Sequence, residues 1–150
     1  MKENNYYFNY FGDIKEWPGI KLIINEKETH NEIGYIFLTD VDEAYDYDIK
    51  IKNELSSIED HTQYNFIREN ETIFLHDLFI NEKYRNKGFG KLIRKKTEEI
   101  TIKYKYKYLT SITNKNNTYS NRINESLGYE ILENLKEYNF FYKKLWLLLI

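Results

Sequence analysis

The sequence predicts a mixed α/β (α+β) fold, in which one β-sheet is flanked by helices. Residues 72–80 form a run of apolar and β-branched residues, and residues 89–103 carry apolar residues at helical spacing. Residues 108–113 repeat the strand pattern after that helix. Strands that alternate with helices in this order build one layered domain, and we find no internal repeat.

The first part of the chain predicts an antiparallel hairpin. Residues 20–25 and 33–38 are rich in β-branched and aromatic residues, and a polar stretch with Asn25, Glu26 and Asn31 separates them. The segment that follows is rich in acidic residues: Asp40, Asp42, Glu43, Asp46, Asp48, Glu54, Glu59 and Asp60. Within it, apolar and polar residues alternate over residues 47–52, which predicts a short strand.

Residues 72–80 predict the strongest strand, because apolar residues occupy both of its faces, as a strand at the centre of a sheet requires. An amphipathic helix follows over residues 89–103. Its predicted apolar face comprises Phe89, Leu92, Ile93, Thr97, Ile100 and Tyr104. The basic residues that fill its opposite face are Lys91, Arg94, Lys95 and Lys96.

The last third of the chain predicts a strand, a short helix and two closing strands. The helix starts near Asn117 and ends at Gly128, which is a typical C-cap residue. Residues 130–132 and 138–146 predict the closing strands. Residues 145–150 are apolar and would promote aggregation if bare, so we expect them to be paired or buried, with a homodimer interface as one candidate.

Length and composition exclude several classes of function. The 150 residues suit a single domain over residues 1–150, and the net charge of −2 gives no general attraction to nucleic acid. The absence of cysteine excludes disulfides, thiolate metal sites and a thiol nucleophile. The N-terminal residues lack the apolar core of a secretory signal, and residues 145–150 are too few to span a bilayer. We therefore expect a cytoplasmic protein without a metal, and expect it to bind neither membrane nor nucleic acid.

The turn between the central strand and the helix has the features of a phosphate-binding site. Arg85, Gly88 and Gly90 are spaced as Arg-x-x-Gly-x-Gly, immediately before the amphipathic helix. The first N–H groups of a helix have no partner within it, and the helix dipole makes this end partly positive. Glycines let the backbone approach an anion closely. On these residues alone, an ordinary strand-to-helix turn remains an equal alternative.

Two blocks of sequence resemble the GCN5-related N-acetyltransferase (GNAT) superfamily. The first is residues 75–90, which end in Tyr84-Arg85 and the Arg-x-x-Gly-x-Gly pattern; the second is Asn117-x-x-Ser-x-x-Ile followed by Leu-Gly-Tyr-Glu at 127–130. Together they cover about residues 72–132. The resemblance implies a mostly antiparallel sheet with splayed central strands. Only about twenty residues precede the hairpin, which implies a reduced N-terminal helical segment.

The resemblance also implies an acetyl-CoA site. Backbone N–H groups of the turn would hold the pyrophosphate, and the main chain at 78–80 would pair with the pantetheine arm. Lys87 and Lys91 either reach phosphates or are solvated, and Asn117 either lies near the pantetheine arm, caps a helix, or does both. The cofactor-binding residues implied are Leu78, Phe79, Ile80, Arg85, Asn86, Lys87, Gly88, Phe89, Gly90, Lys91 and Asn117.

For catalysis, the resemblance places His76 where many relatives carry a glutamate that takes the proton from the amine. A histidine is a competent base at neutral pH, but His76 is equally well explained as a hydrogen-bonded strand residue. Asp77 is a structural or substrate-orienting candidate. The position of the usual catalytic tyrosine holds Asn124, which donates no proton at neutral pH but has an amide that can bind a thiolate. Tyr119 and Tyr129 are candidate substitutes.

The acceptor is predicted to be an amine. Acidic residues at 40–60 would attract a small cationic amine or a basic peptide or protein, or they are a solvated insertion. Residues 72–85, with Leu75 and Asp77, resemble the polyamine acetyltransferases of the superfamily. The alternating Lys and Tyr residues at 103–107 suggest nucleic-acid binding, but a solvated edge explains them better. Three functions stay open: an N-acetyltransferase, an acetyl-CoA-binding protein without transfer, and a protein-binding module with the same fold.

Overall fold

A computed structural model describes residues 5–41, 71–134 and 137–145 of the chain. The strands in these ranges are β1 (Tyr6–Phe11), β2 (Ile20–Glu26), β3 (Glu32–Asp40), β4 (Thr72–Ile80), β5 (Tyr108–Asn114), β6 (Glu130–Asn134) and β7 (Tyr138–Lys144). The helices are α1 (Phe89–Lys103) and α2 (Thr118–Ser126), with a 3-10 helix at Glu82–Tyr84.

The seven strands form one sheet in the order β1-β2-β3-β4-β5-β7-β6. Only β4 and β5 pair in parallel; the other neighbours in the described sheet are antiparallel. The predicted hairpin is β2–β3, which pairs from Ile20 with Leu38 to Asn25 with Glu32. The predicted mixed, mostly antiparallel sheet is confirmed.

β1 is a strand that the sequence pattern did not predict. It pairs with β2 over its whole length, from Tyr6 opposite Glu26 to Phe11 opposite Lys21. Its residues are half-buried on both faces or exposed, so no alternation of apolar and polar residues marks it as a strand. Residues 12–19 then lead to β2 without an α-helix, which agrees with the predicted reduction of the N-terminal helical segment.

Helix α1 packs on one face of the sheet and forms the core with β2, β3 and β4. Phe89, Ile93 and Ile100 of α1 are buried together with strand residues such as Leu22 and Leu38. Each fully buried side chain of this size contributes about 1.5–3 kcal/mol to folding. The predicted helix boundaries are confirmed. The buried face of α1 packs on the sheet and holds the first turn of the helix beside the end of β4.

Both ends of α2 follow the sequence signals. Asn117 caps the helix, because its side-chain oxygen accepts a hydrogen bond from the Ser120 N–H at 3.0 Å. Gly128 follows the helix with φ 82°, a left-handed conformation that glycine adopts without cost. The cap fixes where α2 begins relative to the end of β5.

The prediction that β4 is buried on both faces is correct only for its first half. Residues 72–75 are buried, whereas Asp77 and Phe79 are exposed. The difference arises because β5 pairs only with Thr72–Leu75 and then leaves β4. The second half of β4 therefore borders an opening in the sheet.

Some predictions fall outside the described residues, namely the short strand at 47–52 and the tail at 146–150. Leu145, which follows β7, is fully buried and its N–H donates to the Lys107 carbonyl at 2.7 Å. The homodimer stays a prediction. In the described part of the chain, no helix has the length and apolar content needed to cross a membrane.

The stretch of alternating Lys and Tyr contributes to the core. Tyr106 is buried and its hydroxyl donates to Asp40 Oδ2 at 2.8 Å. Burial, with this hydrogen bond, raises the pKa of Tyr106. Lys103 donates to the Tyr10 hydroxyl at 2.7 Å. The ring of Tyr106 is therefore not available to stack on nucleic-acid bases.

Candidate functional site

The site begins where the two central strands separate. β4 and β5 pair from Thr72 with Tyr108 to Leu75 with Ser111, and beyond this point both strands continue unpaired with each other. The resulting cleft has a volume of about 300 Å³. Its lining comes from β4, β5, α1 and the start of α2: Ile36, Phe74, Leu75, His76, Asp77, Leu78, Arg94, Ser111, Ile112, Thr113, Asn114, Asn117 and Ser120.

A bulge in β4 lies beside this cleft. Phe37 of β3 pairs with His76, but Tyr35 pairs with Phe79, so the register shifts between them. The extra residue is accommodated by Asp77, whose φ of 55° lies in the left-handed region that Asp and Asn tolerate better than most residues. The bulge turns the Asp77 side chain outward at the point where the sheet opens.

The turn before α1 has the geometry of an anion-binding cradle. Asn86 and Gly88 both have positive φ, at 62° and 85°. The first hydrogen bond of α1 runs from the Leu92 N–H to the Gly88 carbonyl at 3.1 Å, so the preceding N–H groups of the helix have no acceptor within it. A Cβ at Gly88 would meet nothing within 4 Å, which leaves space for a ligand above these donors.

The second glycine of the motif has a different role. A Cβ at Gly90 would overlap the Tyr119 hydroxyl and lie 3.1 Å from Cδ1 of Ile123. A larger residue at position 90 would therefore displace the end of the Tyr119 side chain of α2 from the first turn of α1. The structure thus places the Tyr119 hydroxyl at the cradle, and the Tyr119 side chain is 45% exposed.

A second cleft, of about 450 Å³, lies beside the first, because the two share Leu78, Asn117 and Ser120 in their linings. Its other lining residues are Phe79, Ile80, Arg85, Asn86 and Tyr119, so the turn that forms the cradle borders it. Arg85 stabilises this wall, because its Nε donates to the Ile80 carbonyl at 2.8 Å. We refer to the two adjacent clefts together as the path, with the turn before α1 at its outer end and the bulge at its inner end.

His76 and Asp77 form a pair at the inner end of this path. His76 Nδ1 lies 3.0 Å from Asp77 Oδ2, and its Nε2 lies 3.0 Å from the Pro18 carbonyl oxygen. The His76 ring stacks between Trp17 at 4.6 Å and Phe37 at 5.2 Å between ring centroids. The His76 side chain is 6% exposed, but that of Asp77 is 73% exposed. The His76 imidazole is therefore enclosed by its neighbours, whereas the Asp77 carboxylate is accessible to a ligand.

Beneath the cleft lies a buried polar network. Arg94 of α1 donates from Nη2 to Asn124 Oδ1 at 2.5 Å, and Asn124 Nδ2 donates to Thr113 Oγ1 at 3.1 Å. The Arg94 guanidinium also lies 4.8 Å from the centre of the Tyr129 ring. Burial raises the pKa of the Tyr129 hydroxyl, so it stays protonated at neutral pH. Asn124 has no exposed surface and both ends of its amide are engaged.

The comparisons with known proteins agree with this geometry. The model of the acetyltransferase (GNAT) family matches residues 3–129, which is most of the chain. The chain belongs to the GNAT acetyltransferase family. A comparison with curated proteins finds no match.

Solved GNAT structures share the fold at low sequence identity. A GNAT acetyltransferase from Elizabethkingia anophelis with acetyl-CoA bound has a TM-score of 0.62 and 13% identity, covering 95% of this chain and 99% of that one. Mutant forms of the spermidine/spermine N-acetyltransferase of Vibrio cholerae have a TM-score of 0.61 and 10% identity, covering 98% of this chain and 71% of that one. A GNAT acetyltransferase from Listeria monocytogenes has a TM-score of 0.62 and 9% identity, covering 83% of this chain. This chain spans only 63% of the Listeria protein.

Within this GNAT fold, the predicted site residues fall into three groups. His76, Asp77, Leu78 and Asn117 line the cleft between the strands. Phe79, Ile80, Arg85, Asn86 and Tyr119 line the second cleft. Lys87 and Lys91 have exposed side chains beside Gly88, Phe89 and Gly90, and Asn124 lies below the cleft floor.

Arg94 is the residue that the sequence pattern misassigned. It was expected on the basic face of α1, but only 2% of it is exposed. The reason is its position one helical turn after Gly90 and three residues before the buried Thr97, on the face that packs toward the sheet and α2. The helical spacing of Arg94 from Gly90 and Thr97 is the sequence feature that could have predicted its burial. Trp17, which stacks on His76, had no signal in the sequence.

Proposed function

We propose that this chain transfers an acetyl group from acetyl-CoA to a primary amine, by direct attack of the amine in a ternary complex. One observation carries the proposal: the turn before α1 and the opening between β4 and β5 border two adjacent clefts, which share Leu78, Asn117 and Ser120. A long ligand with a diphosphate at one end and a thioester at the other fits such an arrangement. Acetyl-CoA supplies the activated acyl group, and the chain supplies binding and proton transfer.

The cradle supplies the diphosphate contacts. Main-chain N–H groups from Asn86 to Lys91 are the donors, and the open space at Gly88 admits the phosphates. The side chains of Lys87 and Lys91 are exposed next to these donors and add positive charge. The main chain at 78–80 and the Asn117 amide line the inner path, where they are the natural partners of the amide groups of the pantetheine arm.

The proton of the amine goes to Asp77 in this proposal. An amine attacks a thioester only when it is neutral, so a base must take its proton. The Asp77 carboxylate is exposed at the bulge, and its Oδ2 is fixed by His76 Nδ1 at 3.0 Å. His76 acts as the positioning residue, because its two nitrogens already face Asp77 and the Pro18 carbonyl.

The acceptor that suits this end of the cleft is a cationic amine. It meets the Asp77 carboxylate, which is exposed in the lining of the inner cleft, and a carboxylate attracts an alkylammonium group. Small amines and lysine or N-terminal amines of peptides and proteins share this chemistry. The fold neighbour from Vibrio cholerae is a spermidine/spermine N-acetyltransferase, which makes polyamines the first acceptors to test.

The second candidate is an acetyl-CoA-binding protein that transfers nothing. It is favoured by Asn124, which occupies the position of the usual catalytic tyrosine and has both ends of its amide bonded inside the protein. It differs from the first candidate only in turnover.

The experiment is a thiol-release assay with acetyl-CoA and a panel of spermidine, an aminoglycoside and a lysine peptide. The chain has no cysteine, so every thiol detected comes from CoA. Amine-dependent release, with an acetylated amine seen by mass spectrometry, supports transfer. Binding of acetyl-CoA without release for any amine supports the second candidate. Absence of binding contradicts both.

A further inference from the structure

Arg94 is a buried cation, and the described part of the chain gives it no ion pair. It is 2% exposed, and among the described residues no carboxylate lies within ion-pair distance of it. Its Nε has no hydrogen-bond partner, and Nη2 is the nitrogen that donates, to the neutral amide of Asn124. A guanidinium stays charged in proteins, and an uncompensated buried charge is unfavourable. Such a group is retained where a ligand supplies the missing negative charge.

The guanidinium belongs to the inner cleft. Arg94 is a lining residue of the cleft that also contains His76 and Asp77, and it is absent from the lining of the second cleft. It lies six residues after Gly88, which is about 9 Å along the helix axis from the cradle. The charge is therefore separate from the diphosphate site and lies towards the reacting end of the path.

We propose that Arg94 stabilises the sulfur of CoA as it leaves as a thiolate. This inference rests on the proposed acetyl transfer. In that step the amine nitrogen forms a bond to the acetyl carbon, the carbon–sulfur bond breaks, and its electron pair stays on sulfur. The acceptor ammonium has already lost one proton to solvent through Asp77, and the proton that the attacking nitrogen then loses goes to Asp77. The one new negative charge is therefore on the sulfur, where the positive guanidinium faces it. A fixed cation aimed at a developing charge in a dry site lowers the barrier without rearrangement.

The other candidate donors are engaged elsewhere. The Asn124 amide donates to Thr113, is fully buried and belongs to the lining of neither cleft, so it does not reach the sulfur. The Tyr119 hydroxyl lies over Gly90 at the cradle. Asn124 and Thr113 instead hold Arg94 in place, because Asn124 joins the guanidinium to β5 across the base of the cleft. The chain thus replaces a proton donor by a permanent charge.

The test is the pH titration of the thiol of bound CoA, followed by its thiolate absorbance in the ultraviolet. The complex with desulfo-CoA serves as the blank for tyrosine ionisation. The reference is the pKa of the thiol of free CoA, measured in the same buffer, and a cation within a few ångströms lowers a thiol pKa by about 1–3 units. We expect a lowered value in the wild-type complex, a return to the value of free CoA or above it in Arg94→Leu, and an intermediate value in Arg94→Lys. The matched control is Arg122→Leu, which removes an exposed arginine from α2 and is expected to behave as wild type.

The outcomes separate this inference from the proposed function. If wild-type protein binds CoA but the bound thiol titrates at the pKa of free CoA or above it, the role of Arg94 is overturned and acetyl transfer stands. If Arg94→Leu lowers the thiol pKa as far as wild type does, the role is also overturned. If CoA does not bind to the wild type, the proposed function itself fails. Should Arg94→Leu not fold, the comparison of wild type with Arg94→Lys decides.

Discussion

The two ends of the cleft are built from different parts of the chain. In the proposed function, the binding groups at the cradle are main-chain N–H donors of the first turn of α1, and the glycines provide space and conformation. At the inner end, the proposed chemistry belongs to side chains: Asp77, His76, Arg94, Asn124 and Thr113. A site made of main chain depends on backbone geometry, whereas a site made of side chains depends on every residue identity.

This difference explains why the inner end departs from the family pattern while the cradle does not. In the proposed mechanism, Asn124 can occupy the position of the usual tyrosine because Arg94, which donates to it, brings a positive charge to the cleft. Gly88 of the cradle cannot be substituted in the same way, because only glycine combines a positive φ at position 88 with free space for a ligand. Substitutions at the inner end should therefore reduce turnover, whereas substitutions at the cradle should reduce acetyl-CoA binding.

The largest effect is expected at the inner end, from Asp77→Asn. Asn fits the left-handed backbone at this position and keeps an oxygen for His76, but it takes up no proton. Turnover should fall by about 10²–10⁴-fold, with little change in acetyl-CoA affinity. Thiol release and calorimetry measure the two quantities. The control Glu125→Gln, at an exposed carboxylate of α2, should keep full turnover; unchanged turnover in Asp77→Asn would exclude Asp77 as the base.

At the cradle, Gly88→Glu should remove acetyl-CoA binding. Its carboxylate would occupy the open space and repel the phosphates. Gly128→Glu is the matched control, since Gly128 has a similar φ of 82°, also has nothing within 4 Å of a Cβ, and lies after α2. A hundredfold excess of ligand over Kd stabilises a protein by about 2.7 kcal/mol, which a thermal-shift experiment detects. Gly128→Glu should keep this shift and Gly88→Glu should lose it; equal shifts would place the phosphates elsewhere.

A smaller effect is expected from removing the hydrogen bond between Arg94 of α1 and Asn124 of α2. In a double-mutant cycle of Arg94→Leu and Asn124→Ala, we expect a coupling of about 1.5–3 kcal/mol in the free energy of unfolding, as for hydrogen bonds to charged groups. Urea denaturation gives the four values. The pair Arg122→Leu with Asn124→Ala should be additive, because Arg122 is exposed. Additivity of the first pair as well would show that the Arg94–Asn124 bond does not hold the network together.

The smallest effect concerns the support of the cradle. The Tyr84 hydroxyl donates to Glu26 Oε2 at 2.5 Å and ties the 3-10 helix before the cradle to the end of β2. This hydrogen bond lowers the pKa of Glu26, so its stabilisation is present at neutral pH and is lost as pH falls through the lowered folded pKa, below the ordinary ~4.3. Tyr84→Phe should therefore lower stability at pH 7 and converge with wild type in acid.

The control for this prediction is Tyr10→Phe. The Tyr10 hydroxyl raises the pKa of Lys103, so that interaction is complete below the ordinary pKa of lysine and is lost only at alkaline pH. The effect of Tyr10→Phe should hence be the same at pH 7 and pH 4. A Tyr84→Phe difference that persists unchanged in acid would contradict the role of Glu26.

The sequence predicted the features that depend on local pattern. The bounds of β4 and α1, the Asn117 cap and the two glycines all follow from periodicity or backbone requirements within a few residues. β1 was missed because its residues are half-buried on both faces and its strand character comes from pairing with β2. Arg94 was placed on the wrong face because basic residues are usually solvated, and only packing against α2 and Tyr129 shows it buried.

The measurement that tests the central claim most directly is a calorimetric titration of acetyl-CoA into the wild-type protein. The two adjacent clefts between the cradle and the opening of the sheet predict one-to-one binding with a micromolar Kd, and a comparable Kd for CoA. No heat of binding at millimolar acetyl-CoA, from a protein shown to be folded, would contradict it.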